Sequence, residues 1–320
     1  FYTQLPDNQV SLEWFEDFLA YLEIAPGNLR SKYERPLDRI AKYESVDKDA
    51  VIKASRVIAS HYNDAPDVFG LYFSCMLNPY YEKAGTVIDR YKDNFALLED
   101  IYLKCLDLHN DEDQDGEFLA VLFCRDPDFL YCYLDKALDH MGTSFYAHNS
   151  WASRLHFVWG DETFQSYPEL ISDYLFKKTG EEEWRYSAII SQLLLCKNED
   201  SDIVAKRQNA WILHTIEMHA AEPTRMHYLF GAISESSADR RRIALEKFLK
   251  LNDDYALFEK LPLESPSIGG IGSMIPYIQA RIDYFLSLKP LLTGVKFLKH
   301  RQRIEQRIAY WTKQIKDEEI

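Results

Sequence analysis

The sequence predicts an all-α protein, an irregular HEAT- or TPR-like helical-repeat superhelix of the α-solenoid kind. Apolar residues recur at helical spacing, whereas strict alternation over the length of a strand is hard to find. Only 12 Gly and 12 Pro occur in 320 residues, which favours long helices over many turns. One helical stripe consists of Phe95, Leu98, Tyr102 and Cys105, with Asn94 placed to cap its start.

A loose repeat along the chain supports the superhelix. Segments that begin at Pro66, Pro127 and Pro168 each continue with an acidic residue and then an apolar stretch that contains tyrosine. Proline suits the first turn of a helix, and the acid favours the positive end of the helix dipole. The prolines are 61 and 41 residues apart, near one to one and a half HEAT-like periods of roughly 40–47 residues.

We divide the chain into three parts. Residues 1–262 form the predicted helical-repeat array, and residues 263–275 form a linker rich in Gly and Pro. Residues 276–320 form a helical hairpin, which we expect to cap the array by packing one apolar stripe on another. These stripes are Ile278, Ile282 and Phe285, and Ile304, Ile308, Trp311 and Ile315.

Composition and charge narrow the classes of function. Hydrophobic content of 47% and charged content of 28% are typical of a folded protein. A formal net charge of -14 opposes a general nucleic-acid-coating role, because phosphate contacts need clustered Lys and Arg.

Five scattered cysteines without a CxxC pair predict a reducing, cytoplasmic location. No apolar run reaches the ~20 residues of a membrane span. The chain starts at Phe1 without Met, so we expect a piece of a longer protein.

Three motifs that could carry chemistry are incomplete. The acidic stretch from Asp111 to Gly116 matches the first half of an EF-hand, but Leu122 stands where the bidentate Glu belongs. We interpret this stretch as a loop between helices, broken at Gly116. The glycines of 269–272 lack a P-loop ending and indicate a flexible linker. His214 and His219, five residues apart, lie on different faces of one helix. No catalytic, cofactor-binding or metal-binding residue is predicted.

Two basic clusters are the candidate partner-binding residues. They are Arg240, Arg241 and Arg242, and Lys299, Arg301 and Arg303. The functional interpretation is docking to an acidic partner or a nucleic acid. The competing interpretation is a solvated helix face with partners four residues away, such as Arg301 with Glu305.

The C-terminal stretch from Gly272 to Ile308 reads GSMIPYIQARIDYFLSLKPLLTGVKFLKHRQRIEQRI. It resembles the helical-repeat tails of large bacterial STAND-like NTPases of the antiphage kind, and the resemblance covers roughly residues 240–320. The nucleotide-binding motifs of that family have no counterpart in this sequence. The resemblance implies a sensor region that binds a foreign protein, with ATP-binding and effector domains upstream.

The predicted function is that of a non-catalytic protein-recognition module with a protein partner. Helical arrays of this kind stack helix pairs and expose an extended binding face. One alternative is a nucleic-acid-binding array that uses the basic clusters. Another is a helical enzyme with a carboxylate or metal site that the sequence pattern does not identify.

Overall fold

The computed structural model describes residues 20, 48–64, 66–77, 84–108, 113, 115–141, 148–180, 183–194, 202–264 and 273–318. Every regular element within these ranges is an α-helix or a 3-10 helix, which confirms the all-α prediction. Among the helices in these ranges, none has the length and apolar character required to cross a membrane. The chain divides into two compact units, residues 1–157 and residues 158–320.

The first unit contains seven helices within its described residues. They are α1 (Lys48–Ser60), α2 (Pro66–Leu77), α3 (Ala84–Arg90), α4 (Phe95–Asp107), α5 (Glu117–Arg125), α6 (Phe129–Met141) and α7 (His148–Ser153). A 3-10 helix, Arg154–Trp159, follows α7. Helices that are next but one in chain order pack together, as α2 does with α4 and α3 with α5. Aromatic rings fill the interior, and the Tyr133 hydroxyl donates to the Trp151 carbonyl at 2.6 Å.

The start of α4 departs from the sequence prediction in one detail. Asn94 occupies the N-cap position, but its side chain does not bond to the first turn of the helix. The Asn94 amide oxygen instead accepts from the Arg56 guanidinium of α1. A tertiary contact therefore replaces the local cap that the sequence pattern indicates.

The acidic loop before α5 is organised by a buried carboxylate. Asp113 is 3% exposed. It accepts from the Tyr102 hydroxyl at 2.6 Å and from the backbone amides of Phe118 and Leu119 at 3.1 Å each. Burial raises the pKa of Asp113, while these donors and Arg154 act in the opposite direction. The carboxylate that an EF-hand would offer to calcium caps α5 here.

Gly116 sets the turn into α5. Its φ of 73° lies in the left-handed region, which glycine adopts without steric cost. A Cβ at this position would come within 2.0 Å of the Arg154 carbonyl oxygen. Helix α5 begins at Glu117, as predicted for a helix break at Gly116.

The second unit contains eight helices within its described residues. They are α8 (Tyr167–Thr179), α9 (Glu183–Leu193), α10 (Asp202–His219), α11 (Pro223–Ile233), α12 (Ala238–Leu251), α13 (Tyr255–Lys260), α14 (Ile275–Leu288) and α15 (Leu298–Glu318). Short 3-10 helices occur at Glu162–Phe164, Lys289–Leu291 and Val295–Phe297. The well-packed pairs again join helices that are adjacent or next but one, including α9 with α11, α10 with α12 and α13 with α15.

The C-terminal hairpin buries part of the two predicted apolar stripes, while Ile308 and Ile315 stay partly exposed. Helices α14 and α15 lie against each other. Ile304 and Trp311 of α15 are buried, as are Ile282 and Phe285 of α14. The predicted linker lies partly outside the described residues, which omit 265–272. The division into an array, a linker and a capping hairpin stays a prediction.

The carboxylate of Glu264 connects the segment after α13 to both helices of this hairpin. Glu264, with a side chain 13% exposed, accepts from the Trp311 indole Nε1 at 2.8 Å. Its oxygens also pair with Arg281 of α14 at 3.6 Å and with Arg307 of α15. The Arg281 guanidinium lies 4.7 Å from the Trp311 ring, a cation–π distance. The start of the predicted linker is thereby fixed to both helices.

We expect Trp311→Ala to lower the free energy of unfolding by about 3–5 kcal/mol, because the buried ring and its hydrogen bond to Glu264 are both lost. Urea unfolding followed by circular dichroism measures the change. The matched control is Arg303→Ala on the same helix, which should change stability by less than ~0.5 kcal/mol. A Trp311→Ala variant as stable as the parent would contradict the packing described here.

We expect Asp113→Ala to lower the free energy of unfolding by about 2–4 kcal/mol. The change removes a helix cap, worth about 1 kcal/mol, and leaves the buried Tyr102 hydroxyl without its acceptor, at about 1–3 kcal/mol. Glu117→Ala, a control at the exposed start of α5, should cost less than about 1 kcal/mol.

Calcium should leave the melting temperature of the parent chain unchanged. A rise that Asp113→Ala abolishes would show a calcium site.

Candidate functional site

Arg240, the first of the predicted partner-binding residues, is bound within the second unit. Its Nε donates to the Asn209 side chain at 2.9 Å, and its Nη2 donates to the Gln208 side chain at 2.9 Å. Its Nη1 reaches the Leu194 carbonyl at 3.1 Å. Arg240 therefore connects α12 to α10 and to the end of α9. The donors that a partner would need are used internally.

Arg241 and Arg242 also interact within the unit. The Arg241 guanidinium lies 4.1 Å from the Tyr284 ring and donates to the Leu263 carbonyl at 3.4 Å. Burial lowers the pKa of Arg241 from its usual value. Arg242 is half-buried, and its charge helps Lys250 to lower the pKa of Glu246. Arg240 and Arg241 are thus committed to helix packing, while Arg242 shows only a charge interaction with Glu246.

Arg301 holds the turn that precedes α15. Its Nη1 donates to the Leu292 carbonyl at 2.7 Å and to the Gly294 carbonyl at 3.0 Å. Glu305, the expected partner of Arg301, pairs with Lys289 at 3.3 Å instead. Arg301 closes the loop between α14 and α15 and lies away from the face that carries Lys299 and Arg303.

Lys299 and Arg303 are brought together on α15. They are four residues apart, so their side chains share one helix face, and Arg307 continues the row one turn later. We call Lys299, Arg303 and Arg307 the basic row. Within the part of the chain that the structure describes, neither Lys299 nor Arg303 forms an ion pair. The Lys299 ammonium lies 5.9 Å from the Tyr255 ring of α13.

A pocket of about 180 Å³ opens beside the basic row. It lies between α13, the segment 261–264 and the facing sides of α14 and α15. Buried apolar side chains line it, and two arginines and two glutamates complete the wall. The apolar lining is Phe258, Leu261, Leu263, Phe285 and Ile304, together with the half-buried Pro262. We call this feature the α13–α15 pocket.

The charged side chains of the α13–α15 pocket differ in whether an ion pair neutralises their charge. Glu264 is held by Arg281, Arg307 and the Trp311 indole. Glu259 accepts from the Tyr255 hydroxyl at 3.1 Å. Arg303, by contrast, has no carboxylate partner among the described residues. Glu259 and Arg303, of opposite charge, thus both line the pocket without an ion pair among the described residues.

A buried histidine lies behind the basic row. His300 is 1% exposed, and neither ring nitrogen has a hydrogen-bond partner among the described residues. Its ring centroid lies 5.4, 4.6 and 5.1 Å from those of Tyr255, Phe258 and Phe297. Burial lowers the pKa of His300, and the nearby Lys296 acts in the same direction, while Asp253 and Asp254 oppose it.

A second group of polar side chains, which the sequence pattern does not identify, lies where α8 meets α10. The ligand atoms of Glu169, Asp173 and His219 are within 4.8 Å of one another, so they could hold a divalent cation. Asp173, however, is already bound by the buried Arg225 of α11. His219 Nδ1 lies 2.8 Å from the Glu222 carboxylate. The three side chains are thus also part of an ion-pair network that joins three helices.

Two carboxyl groups approach each other in the first unit. Burial raises the pKa of Glu99 to about 7, and the Asp126 carboxylate adds to the rise through its charge and a shared hydrogen bond. Asp126 lies at the end of α5 and also accepts from the Asp128 amide at 3.0 Å. Such a pair is the nearest approach in the described residues to the carboxylate site of the enzyme alternative.

No protein-family model, curated protein or solved structure matches this chain. The functional interpretation therefore depends on the geometry alone. Sequence spacing could have identified the basic row, because Lys299, Arg303 and Arg307 recur every four residues. The pocket beside it could not have been found in this way, since its lining comes from three separate stretches of the sequence.

We expect Glu99→Gln to stabilise the chain at pH 8 but not at pH 5. The folded-state pKa of Glu99 is raised from 4.5 to about 7, so its favourable contribution is present at low pH and is lost as the pH rises through 7. Because the side chain is partly exposed, solvent screening reduces the expected gain at pH 8 to about 1 kcal/mol. Urea unfolding at both pH values measures it.

The control for this experiment is Asp93→Asn, an exposed acid before α4, which should give no difference between the two pH values. An equal effect of Glu99→Gln at pH 5 and pH 8 would show that Glu99 does not titrate in this range.

Proposed function

We propose that this chain is a non-catalytic protein-recognition module that binds its partner at the α13–α15 pocket and the basic row. The observation that carries the proposal is the position of the pocket beside two cations, Lys299 and Arg303, that the described residues leave without carboxylate partners. Charges on a binding surface are matched by opposite charges on the partner, which sets specificity and the rate of association.

The helix packing supports a repeat-type scaffold for this surface. In both units, the well-packed pairs join helices that are adjacent or next but one in chain order. Dense packing between near neighbours is expected of solenoid arrays, in which each repeat touches only the next. Single polar contacts reach further, as between Arg225 of α11 and Asp173 of α8. We accordingly propose an irregular HEAT- or TPR-like superhelix as the architecture, with the recognition surface at its C-terminal end.

The wider role that we propose is that of the sensor region of a STAND-like antiphage NTPase. The resemblance that suggests this covers roughly residues 240–320, and the basic row and the α13–α15 pocket both fall within that stretch. A sensor region of this type would bind a protein, while catalysis would reside elsewhere in the polypeptide.

Panning a random-peptide display library against the immobilised chain tests the proposal. We expect enriched peptides whose binding is lost when Lys299→Glu and Arg303→Glu are combined, since the double change reverses the charge of the surface. The control combines Lys313→Glu and Lys316→Glu, exposed residues near the end of the same helix, and should retain binding. Enriched peptides that bind the first double variant as tightly as the parent would contradict the proposed surface.

The nucleic-acid alternative predicts a different result. Duplex or single-stranded DNA would then bind with an affinity that falls steeply between about 50 and 200 mM salt, because each phosphate contact releases counterions. With a net charge of -14 and at least three of the six predicted basic residues bound internally, we expect no such binding. Fluorescence anisotropy with labelled oligonucleotides measures it. Tight, salt-sensitive binding would favour the alternative and overturn our proposal.

A further inference from the structure

We propose that Glu169, Asp173 and His219 form a binding site for Zn²⁺ or a similar divalent transition-metal cation. The three side chains come from two helices of the second unit, α8 and α10. The inference goes beyond the proposed recognition function and does not rest on it, because the basic row lies on a different helix, α15. The donor set, one imidazole and two carboxylates, identifies the ligand.

Helix α8 supplies the two acids of the site. Glu169 and Asp173 are four residues apart, so their carboxylates project from the same face of the helix. Like charges at this spacing repel each other and destabilise the helix that carries them. A cation bound between the two carboxylates removes the repulsion, and the helix presents both ligands without a change in its backbone.

The imidazole of His219 completes the site from α10. One ligand atom of each of the three side chains lies within 4.8 Å of the other two. Zinc binds histidine nitrogen and carboxylate oxygen at about 2.0–2.2 Å, which places ligand atoms roughly 3.4 Å apart in tetrahedral geometry. The terminal torsions of Asp and Glu are soft, so movements of about 1 Å at the carboxylates are enough to close the site around an ion.

Glu222 orients the histidine for this role. Nδ1 of His219 lies 2.8 Å from the Glu222 carboxylate. A carboxylate only accepts hydrogen bonds, so Nδ1 carries the proton and the neutral ring offers Nε2 to a metal. Histidines that bind zinc usually donate their other ring N–H in this way, which fixes the tautomer and the orientation of the ring. The His219 side chain is only 17% exposed, so the ring is held in place.

Arg225 orients the Asp173 carboxylate and leaves one of its oxygens for the cation. Its Nη2 donates to Oδ1 of Asp173, so Oδ2 stays accessible to a metal. Arg225 is buried, and its guanidinium lies 5.1 Å from the Phe176 ring, which holds it in position. Glu169, Asp173 and Glu222 together carry more negative charge than this one guanidinium balances. A divalent cation neutralises the excess.

The donor set also selects among cations. Imidazole suits Zn²⁺ and the neighbouring transition metals, whereas Mg²⁺ and Ca²⁺ prefer ligand sets made of oxygen alone. Three protein ligands leave a tetrahedral ion one further position, which water fills. We therefore expect Zn²⁺ to bind about 100-fold more tightly than Ca²⁺ or Mg²⁺.

Isothermal titration calorimetry of the full chain with zinc chloride, in a buffer that does not chelate metals, measures the binding. We expect a saturable zinc site whose affinity falls at least about tenfold in Glu169→Gln and in His219→Gln, because even the loss of a residue that orients a ligand has a cost of this size. Both side chains are partly exposed, so the variants should fold, and circular dichroism checks this.

Two histidine variants are the matched controls. His61 also has an acid three residues later, with Asp64 at 3.6 Å, but it belongs to no three-ligand group among the described residues. His61→Gln should therefore bind zinc as the parent chain does. His214 lies on α10 with its Nε2 4.0 Å from Glu169, outside the three-ligand group. His214→Gln should have a much smaller effect on zinc affinity than His219→Gln.

X-ray absorption of the zinc-loaded chain identifies the ligands directly. We expect imidazole nitrogen and carboxylate oxygen at about 2.0–2.2 Å from the metal, and no sulfur. The imidazole contribution should be missing from zinc-loaded His219→Gln. A parent chain that binds no zinc, or that binds calcium as tightly, would overturn the inference. Zinc affinity that is unchanged in Glu169→Gln and His219→Gln, or a zinc spectrum without imidazole, would overturn it as well.

Discussion

The C-terminal end of the chain depends on one carboxylate. Glu264 lies on the segment that follows α13, and its two oxygens engage α14 through Arg281 and α15 through Arg307 and Trp311. A largely buried carboxylate is costly unless its charge and its lone pairs are satisfied. Here two guanidinium groups and an indole N–H satisfy them. The positions of both helices relative to α13, and therefore the pocket between them, follow from this arrangement.

The need to satisfy buried polar groups also separates the arginines that hold the structure together from the cations that are available to a partner. Arg240, Arg241 and Arg301 donate to carbonyl or amide oxygens inside the second unit. Such oxygens would be left without donors if the arginines turned outward, and that loss would be expensive in the interior. Lys299 and Arg303 leave no internal acceptor behind. A chain with an overall acidic balance thus presents a local basic surface.

Periodicity predicts the helices well, because a buried helix face requires apolar residues at fixed spacing whatever it packs against. Ile304 and Trp311 are examples, since both are buried where the stripe places them. Asn94 shows the limit: its position at a helix start is recognisable, but its bond to Arg56 depends on a distant helix. Partners of that kind are fixed only by the packing of elements far apart in the chain.

The candidate site also contains some features that sequence spacing predicts and others that only the packing of distant elements determines. Lys299 and Arg303 can be recognised as neighbours from their spacing, whereas the different role of Arg301 depends on two carbonyls of the preceding loop. The Glu169, Asp173 and His219 network illustrates the converse, because residues about fifty positions apart meet only after folding. Pattern alone also places the three arginines of α12 on the surface, while the structure uses Arg240 and Arg241 as internal braces.

The aromatic surroundings of His300 make the wall of the pocket sensitive to acid. An imidazolium needs two acceptors or water, and the rings of Tyr255, Phe258 and Phe297 provide neither. With a folded-state pKa below 6.5, the unfolded chain takes up the proton more readily, so stability is lost as the pH falls below that value. Protonation of His300 therefore works against the packing of α13 on α15, which encloses the ring.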